Sequence, residues 1–202
     1  MAELRTEEEQ LEAIKRWWKE TGTSLIAGAV LAAAGVFGWN AWQDYQTSQA
    51  EAASQRYQQL TLLMQQDTLS DAQREQATDM IDALVNEHGG TLYADFAELM
   101  RARLAIQANE LESARDTLQA FAANSDDGYL TGLARLNLAR VQIAMDDAQG
   151  ALSTLENDVP ATLKAQAADI RGDAYVALEQ PDQARQAYQH ALARAEDQDQ
   201  PL

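Results

Sequence analysis

The chain has 202 residues, a formal net charge of −17 and no cysteine. The lack of cysteine excludes disulfides and thiolate chemistry, and the acidic balance argues against a nucleic-acid partner, because phosphate binding draws on clustered Lys and Arg. Alanine, leucine, glutamine and acidic residues dominate, and only three prolines and ten glycines interrupt them. This composition predicts an all-α fold.

The first predicted elements are a short amphipathic segment over residues 1–20 and a membrane span over residues 21–43. The span contains no charged residue, and a helix of this length covers about 34 Å, enough for the hydrocarbon core of a bilayer. Tryptophan rings settle at lipid–water interfaces, and two pairs of them stand at the ends of the span: Trp17 and Trp18, then Trp39 and Trp42.

The orientation of the span follows from the basic residues around it. Lys15, Arg16 and Lys19 precede it, whereas Arg56 is the only Lys or Arg in the twenty residues that follow Gln43. The positive-inside rule therefore predicts a cytoplasmic N-terminus and an extracytoplasmic C-terminal domain. The segment over 1–20 either lies on the inner membrane surface or simply extends the span helix.

Two other interpretations of the span remain open. A cleaved signal peptide would explain the three alanines directly before Gly35, but the apolar stretch continues from Val36 to Trp42 and several glutamates precede it. A buried helix of a soluble protein would have to explain why tryptophans stand only at the two ends. We therefore expect an uncleaved anchor.

Within the span, small residues and tryptophans recur at helical spacing and predict a face along which another helix can pack: Gly28, Ala32, Gly35, Trp39 and Trp42. The alternative is that a segment this rich in alanine presents small residues on every face.

After the span, turn signals separate eight predicted helices. Their approximate ranges are 44–66, 71–88, 91–108, 110–123, 129–145, 147–157, 160–179 and 181–196. In the last hairpin, Gly172 and Ala184 allow close helix contact while Tyr175 and Tyr188 fill the space beside them, which is the tetratricopeptide pattern. The same small pair recurs at Ala139 with Ala151, and at Ala102 with Ala114.

These positions predict a tetratricopeptide-like α-solenoid of about four helix hairpins. Three repeats occupy residues 91–196, and residues 197–202 form a disordered tail. Residues 44–90 lack the small pair in clear form, yet they carry an apolar stripe of Tyr57, Leu60 and Met64. We interpret them as a degenerate first repeat that caps the array.

The first helix of each tetratricopeptide hairpin lines the concave surface, and the residue after each small position points toward it. The predicted protein-binding groove therefore comprises Phe96, Leu99, Arg103, Leu136, Arg140, Ile143 and Asp173. Its two arginines are suited to hold a carboxylate of a partner bidentately. Alternatively, each arginine pairs with a neighbour such as Glu98 or Asp169, and the two leucines belong to the core.

No catalytic or metal-binding pattern is visible in the sequence. His88 and His190 lie far apart and are predicted to be solvated surface residues. Asp126-Asp127 and Asp146-Asp147 fall in turns, where aspartate caps the following helix. We therefore expect no enzyme activity, no cofactor and no small-molecule substrate.

The stretch EEEQLEAIKRWWKETGTSLIAGAVLAAAGVFGWNAWQDYQ, followed by AASQRYQQL and the hairpins, resembles the YfgM family of Gram-negative bacteria. Its most specific parts are AIKRWW before the span and GWNAW at its exit. The resemblance implies a single-pass inner-membrane protein with a periplasmic repeat domain, ancillary to the SecYEG translocon and associated with the membrane-anchored periplasmic chaperone PpiD. Two functions fit: a scaffold that links periplasmic chaperones to emerging polypeptides, or a holdase that binds unfolded secretory chains directly.

Overall fold

A computed structural model describes residues 7–66, 68–156 and 159–199. Within these ranges the regular structure is helical and contains no strand, so the all-α prediction is confirmed. The helices are α1 (Glu7–Met64), α2 (Asp71–His88), α3 (Leu92–Gln107), α4 (Leu111–Asn124), α5 (Gly128–Ala144), α6 (Ala148–Glu156), α7 (Lys164–Ala177) and α8 (Pro181–Asp199), with a 3-10 turn over Ala161–Leu163 before α7. The predicted cytoplasmic segment and tail fall partly, at residues 1–6 and 200–202, outside the described residues.

The chain divides into two compact units, residues 1–49 and residues 50–202. The first unit contains the N-terminal part of α1, whose large apolar side chains are exposed, Leu31 and Phe37 both at 73%. An 18-residue window within Ser24–Met64 has a mean hydropathy of 1.5 and none of it is buried inside the structure. By length and composition, α1 is able to cross a membrane.

The helix predicted over residues 44–66 is not separate from the span. It is the C-terminal part of α1, which continues without interruption to Met64. The physical reason is the lack of any breaker, since neither glycine nor proline occurs between Gly38 and the end of the helix. The other seven predicted helices match α2–α8 within a few residues, although α8 runs to Asp199, past the predicted domain end at 196.

Three overlapping apolar clusters form the core of the second unit. The first joins Leu60 of α1 to Ile81 of α2 and Ala97 of α3. The second joins α3, α4 and α5, and the third joins α5, α6 and α7. Because α3 contributes to the first two clusters and α5 to the last two, the clusters are linked through these helices and neighbouring hairpins stack into one array.

The predicted small positions lie in the interior between helices. All six are buried: Ala102, Ala114, Ala139, Ala151, Gly172 and Ala184. At Gly172 the reason is plain, because an added Cβ would stand within 2.6 Å of three ring carbons of Tyr188. The tetratricopeptide pattern in the sequence therefore marks the interhelical contacts that shape the array.

One turn recurs inside each of the last three hairpins. Asn109, Asp146 and Glu179 have φ values of 59°, 63° and 57°, and each stands seven residues after a small position of its first helix. The next amide donates back to the carbonyl five residues earlier, as from Glu110 to Ala105 at 2.8 Å. This left-handed C-cap satisfies the last carbonyls of the first helix and turns the chain into the second.

Candidate protein-binding surface

The first helices of three successive hairpins share one cavity of about 300 Å³. Helix α3 supplies most of the wall through Phe96, Leu99 and Arg103, while Tyr57 comes from α1 and Asn137 from α5. Three residues of the predicted groove therefore lie together on this cavity. Tyr57 and Asn137 were not predicted as groove residues, although Tyr57 belongs to the apolar stripe noted in the sequence.

Aromatic rings form one side of this cavity. The Tyr57 ring centroid lies 5.7 Å from that of Tyr93 and 5.7 Å from that of Phe96, with tilted planes in both pairs. Aromatic rings at this separation attract each other. They hold the C-terminal part of α1 against α3 and position the Phe96 ring beside the opening.

Two arginines, one on the cavity wall and one next to it, have no carboxylate partner among the described residues. Arg103 is exposed and forms no ion pair with any described residue. Arg140 is also exposed, and its guanidinium donates a hydrogen bond to Asn137 Oδ1 at 3.2 Å. Asn137 lines the cavity, so Arg140 lies next to a residue of the cavity wall although it does not line the cavity itself.

The carboxylate suggested as a neutralising partner is engaged elsewhere. Glu98 pairs with Arg101 at 3.1 Å, and the same guanidinium reaches Asp82 of α2 at 2.8 Å. Arg101 therefore joins α2 to α3 on the other side of the helix. Nothing described in the structure supports the alternative in which Glu98 or Asp169 neutralises Arg103 or Arg140.

The structure corrects part of the predicted groove. Leu136 has 0% of its surface exposed and packs in the core of α5, α6 and α7, so a partner is unable to touch it. Ile143 is partly buried and packs against the same core. Leu99 is also partly buried against the core of α3, α4 and α5, yet it still lines the cavity. The i, i+4 and i+7 spacing of Leu136, Arg140 and Ile143 did not distinguish the core face of α5 from the adjoining concave face.

Asp173, the third residue of the predicted series, is exposed but already has a partner. Its Oδ1 accepts a hydrogen bond from the Tyr188 hydroxyl of α8 at 2.8 Å. Burial of the phenol, followed by this hydrogen bond, raises the pKa of Tyr188 to about 12. Asp173 therefore supports the packing of the last hairpin, unlike Arg103 and Arg140 at the equivalent positions.

One histidine prediction is wrong and the aspartate prediction is confirmed. His88, in the last turn of α2, is only 8% exposed, and its carbonyl oxygen accepts a hydrogen bond from Thr91 Oγ1 at 2.8 Å. His190 is exposed as predicted.

Asp127 caps α5 and Asp147 accepts from Gly150 N at 2.9 Å in α6. No group of three metal-ligating side chains occurs among the described residues.

The predicted packing face of the span lies on an uncovered part of α1. A Cβ added at Gly28 or Gly35 would meet nothing within 4 Å. The Trp39 and Trp42 rings stand together, with centroids 5.2 Å apart. The space that a second helix would occupy beside these glycines is therefore open.

Comparison with known proteins gives the same architecture. Residues 15–202 match the tetratricopeptide repeat-like domain family. A protein of Haemophilus influenzae named "Ancillary SecYEG translocon subunit" is 33% identical over 192 residues, which cover 95% of this chain and 91% of the relative. An Escherichia coli protein of the same name is 32% identical, with 91% and 85% covered. No solved structure matches the chain.

The apolar N-terminal part of α1 and the translocon names of these relatives together indicate anchoring in the inner membrane. The relatives are similar along nearly their whole length, through both the anchor helix and the repeats. The chain therefore belongs to the YfgM family, whose members are named ancillary SecYEG translocon subunits.

Proposed function

We propose that this chain is a non-catalytic scaffold that links periplasmic chaperones to polypeptides emerging from the SecYEG translocon. Its span holds it in the inner membrane with a cytoplasmic N-terminus, and residues 44–196 form a degenerate repeat and three full repeats in the periplasm. PpiD is the chaperone partner that the family resemblance implies. The names of the relatives support association with the translocon, and Lys15, Arg16 and Lys19 support the orientation.

A single observation carries the proposed binding role of the repeat domain. Arg103 lines the aromatic cavity, Arg140 binds Asn137 of the cavity wall, and neither arginine has a carboxylate partner among the described residues. Over residues 44–202 the chain has 11 Lys or Arg against 26 Asp or Glu. Two uncompensated arginines in such a domain form a local positive site, and a partner carboxylate can accept from each fork in a bidentate geometry.

The apolar wall adds a second element of recognition. Phe96 and Leu99 are half-buried, and Ile106 in the same wall is 41% exposed. An acidic partner segment with a neighbouring apolar side chain therefore fits this surface. The combination of an apolar anchor and a charged fork is typical of interfaces in which a few residues supply most of the affinity.

The test is the double substitution Arg103→Glu and Arg140→Glu in the full chain, followed by copurification of PpiD and SecYEG from membranes. We expect chaperone capture to fall while the melting temperature stays unchanged, because neither arginine has an ion pair to lose. The matched control is Arg115→Glu with Arg185→Glu, which changes the charge equally at surface pairs with Asp116 and Asp182. Unchanged capture, or equal loss in the control, would remove the concave arginines from the site.

A holdase is the competing function, and the size of the cavity argues against it. An opening of about 300 Å³ stands at the lower end of small-molecule clefts, whereas a holdase must cover long apolar segments of its client. The distinguishing measurement is light scattering of a denatured client mixed with the full chain in nanodiscs, without other chaperones. Suppressed aggregation would favour the holdase over the scaffold.

A further inference from the structure

The last hairpin has a cavity of about 560 Å³ that the concave surface does not include. It lies between α7 and α8 next to the end of α6, and we refer to it as the terminal trough. Four of its lining residues are basic in type, Lys164, Arg171, His190 and Arg194, and Glu156 is the one carboxylate among its described lining residues. In a domain with such an excess of acid, this local composition is unusual.

The trough is elongated along the two helices. Lys164, Arg171 and Tyr175 recur on one stripe of α7, and Gln183, His190 and Arg194 recur on one stripe of α8. Because the helices of a hairpin run antiparallel, Lys164 and Arg194 lie toward one end of the trough, and Tyr175 and Gln183 toward the other. Eleven residues of helix extend over about 16 Å, the length of about five extended residues.

The cations of the trough are not neutralised within the described structure. Lys164 and Arg194 form no ion pair with a described residue, in contrast to Arg56, Arg115 and Arg185 elsewhere in the domain. Arg171 has a structural role, because its guanidinium donates to the Leu155 carbonyl at the end of α6. Lys164 and Arg194 are therefore the cations available to a ligand.

An equivalent trough with the opposite charge exists two repeats earlier. A cavity of about 520 Å³ lies against α3 and α4 and is lined by Asp95, Glu98 and Asp116. Five of its eight lining positions correspond to positions of the terminal trough at a separation of 70 residues, as in Thr117 with Ala187, Ala120 with His190, and Asn124 with Arg194. A trough at this place is thus common to both hairpins. Its positive charge is found in the α7–α8 hairpin and not in the α3–α4 hairpin.

We propose that the terminal trough binds an acidic peptide segment of a partner protein, about five residues long and carrying at least two carboxylates. Lys164 and Arg194 hold the carboxylates at one end. Ala167, Ala187 and Tyr175 supply apolar contact along the length, which suits a peptide better than a point-like anion. This site shares no residue with the concave surface, so the two proposals are tested independently.

The test uses the absence of native cysteine. The full chain in nanodiscs carries Gln186→Cys in the terminal trough, labelled with bimane, whose fluorescence is quenched on contact with indole. The probe is a hexaglutamate peptide with a terminal tryptophan. The matched control is Asp116→Cys, because position 116 is the counterpart of position 186 in the acidic trough. We expect saturable quenching at position 186, little quenching at position 116, and an increase in Kd of about tenfold after Lys164→Gln with Arg194→Gln.

Three outcomes would overturn the proposal: no saturable quenching at position 186, equal quenching at both labelled positions, or a Kd unaffected by Lys164→Gln with Arg194→Gln. Both substituted side chains lie at the surface, so circular dichroism should show an unchanged fold. A dimer that depends on Lys164 and Arg194 would also overturn the proposal, because the occupant of the trough would then be a second copy of the chain. Loss of chaperone capture by Arg103→Glu with Arg140→Glu bears only on the concave surface. Bimane quenching bears only on the trough, because the label reports contact there.

Discussion

The Tyr188 ring occupies the space where a Cβ of residue 172 would lie, and its hydroxyl donates a 2.8 Å hydrogen bond to Asp173, the residue after Gly172. One tyrosine thus fills the space that a side chain at 172 would require and also ties α8 to α7. Close approach of the two helices and the polar bond beside it depend on each other.

Gly172→Ala should lower the free energy of unfolding by about 1–3 kcal/mol, because the added methyl group overlaps the Tyr188 ring and forces the helices apart. Urea denaturation followed by circular dichroism measures this change. Gly128→Ala is the control, since a Cβ there meets nothing within 4 Å. Equal effects of the two substitutions would contradict the close-contact interpretation.

Stability should depend on the ionisation of Tyr188 at high pH. Burial and the hydrogen bond to Asp173 raise its pKa from 10.0 to about 12, so the folded state favours the neutral phenol. The resulting stabilisation is complete below the unfolded pKa and is lost as pH rises from about 10 to about 12. Denaturation of wild type and Tyr188→Phe across this range should show a steeper loss for wild type, and parallel curves would disprove the coupling.

Glu179→Gly should stabilise the protein by about 0.5–1 kcal/mol, because φ of 57° is strained for a residue with a Cβ and free for glycine. Glu179→Ala removes the same charge but keeps the strain, and it should bring no comparable gain. Thermal melting of both variants makes the comparison. A gain from alanine as large as from glycine would attribute the effect to charge.

The small-residue face of the span predicts a membrane partner helix. Gly28→Leu with Gly35→Leu should weaken copurification with SecYEG while membrane insertion is retained, because leucine fills the open space beside the helix. Ala29→Leu with Val36→Leu adds bulk on another face and serves as the control. Undiminished copurification of the glycine variant would count against the packing face.

The predicted topology also has a direct test. Protease added to spheroplasts should digest the domain after the span, whereas intact cells should protect it. The full-length chain should remain in the membrane fraction, as expected from the continuous course of α1 through Gly35. A mature N-terminus at Gly35 would instead show a cleaved signal peptide.

Much of the fold was predictable because its determinants are local. Breakers and caps such as Asp127 and Pro181 mark helix ends, and the spacing of Ala139, Ala151, Gly172 and Ala184 reflects helix contacts within a hairpin. The length and apolar character of the span are likewise read along the chain. These features require only the neighbours in sequence, or the neighbouring helix of the same hairpin.

The candidate site was predicted less completely, because it depends on residues from different hairpins. Phe96, Leu99 and Arg103 lie on one cavity. Leu136 was predicted to lie in the same groove, yet it is fully buried. Whether such a residue lies in the core or at the surface depends on which face of its helix it occupies. His88 shows the same limit, since its place in the last turn of α2 does not reveal that its side chain is buried.

Composition and short-range periodicity are sufficient to specify the helices, the apolar span, the repeat period and the acidic balance. Which cations remain without a carboxylate depends instead on how the helices pack. Arg101 and Arg103 are two residues apart, yet Arg101 reaches Asp82 of another helix while Arg103 faces a cavity. Helix packing also decides that Lys164 and Arg194, thirty residues apart, line one trough, since only antiparallel packing of α7 on α8 brings the start of one helix to the end of the other.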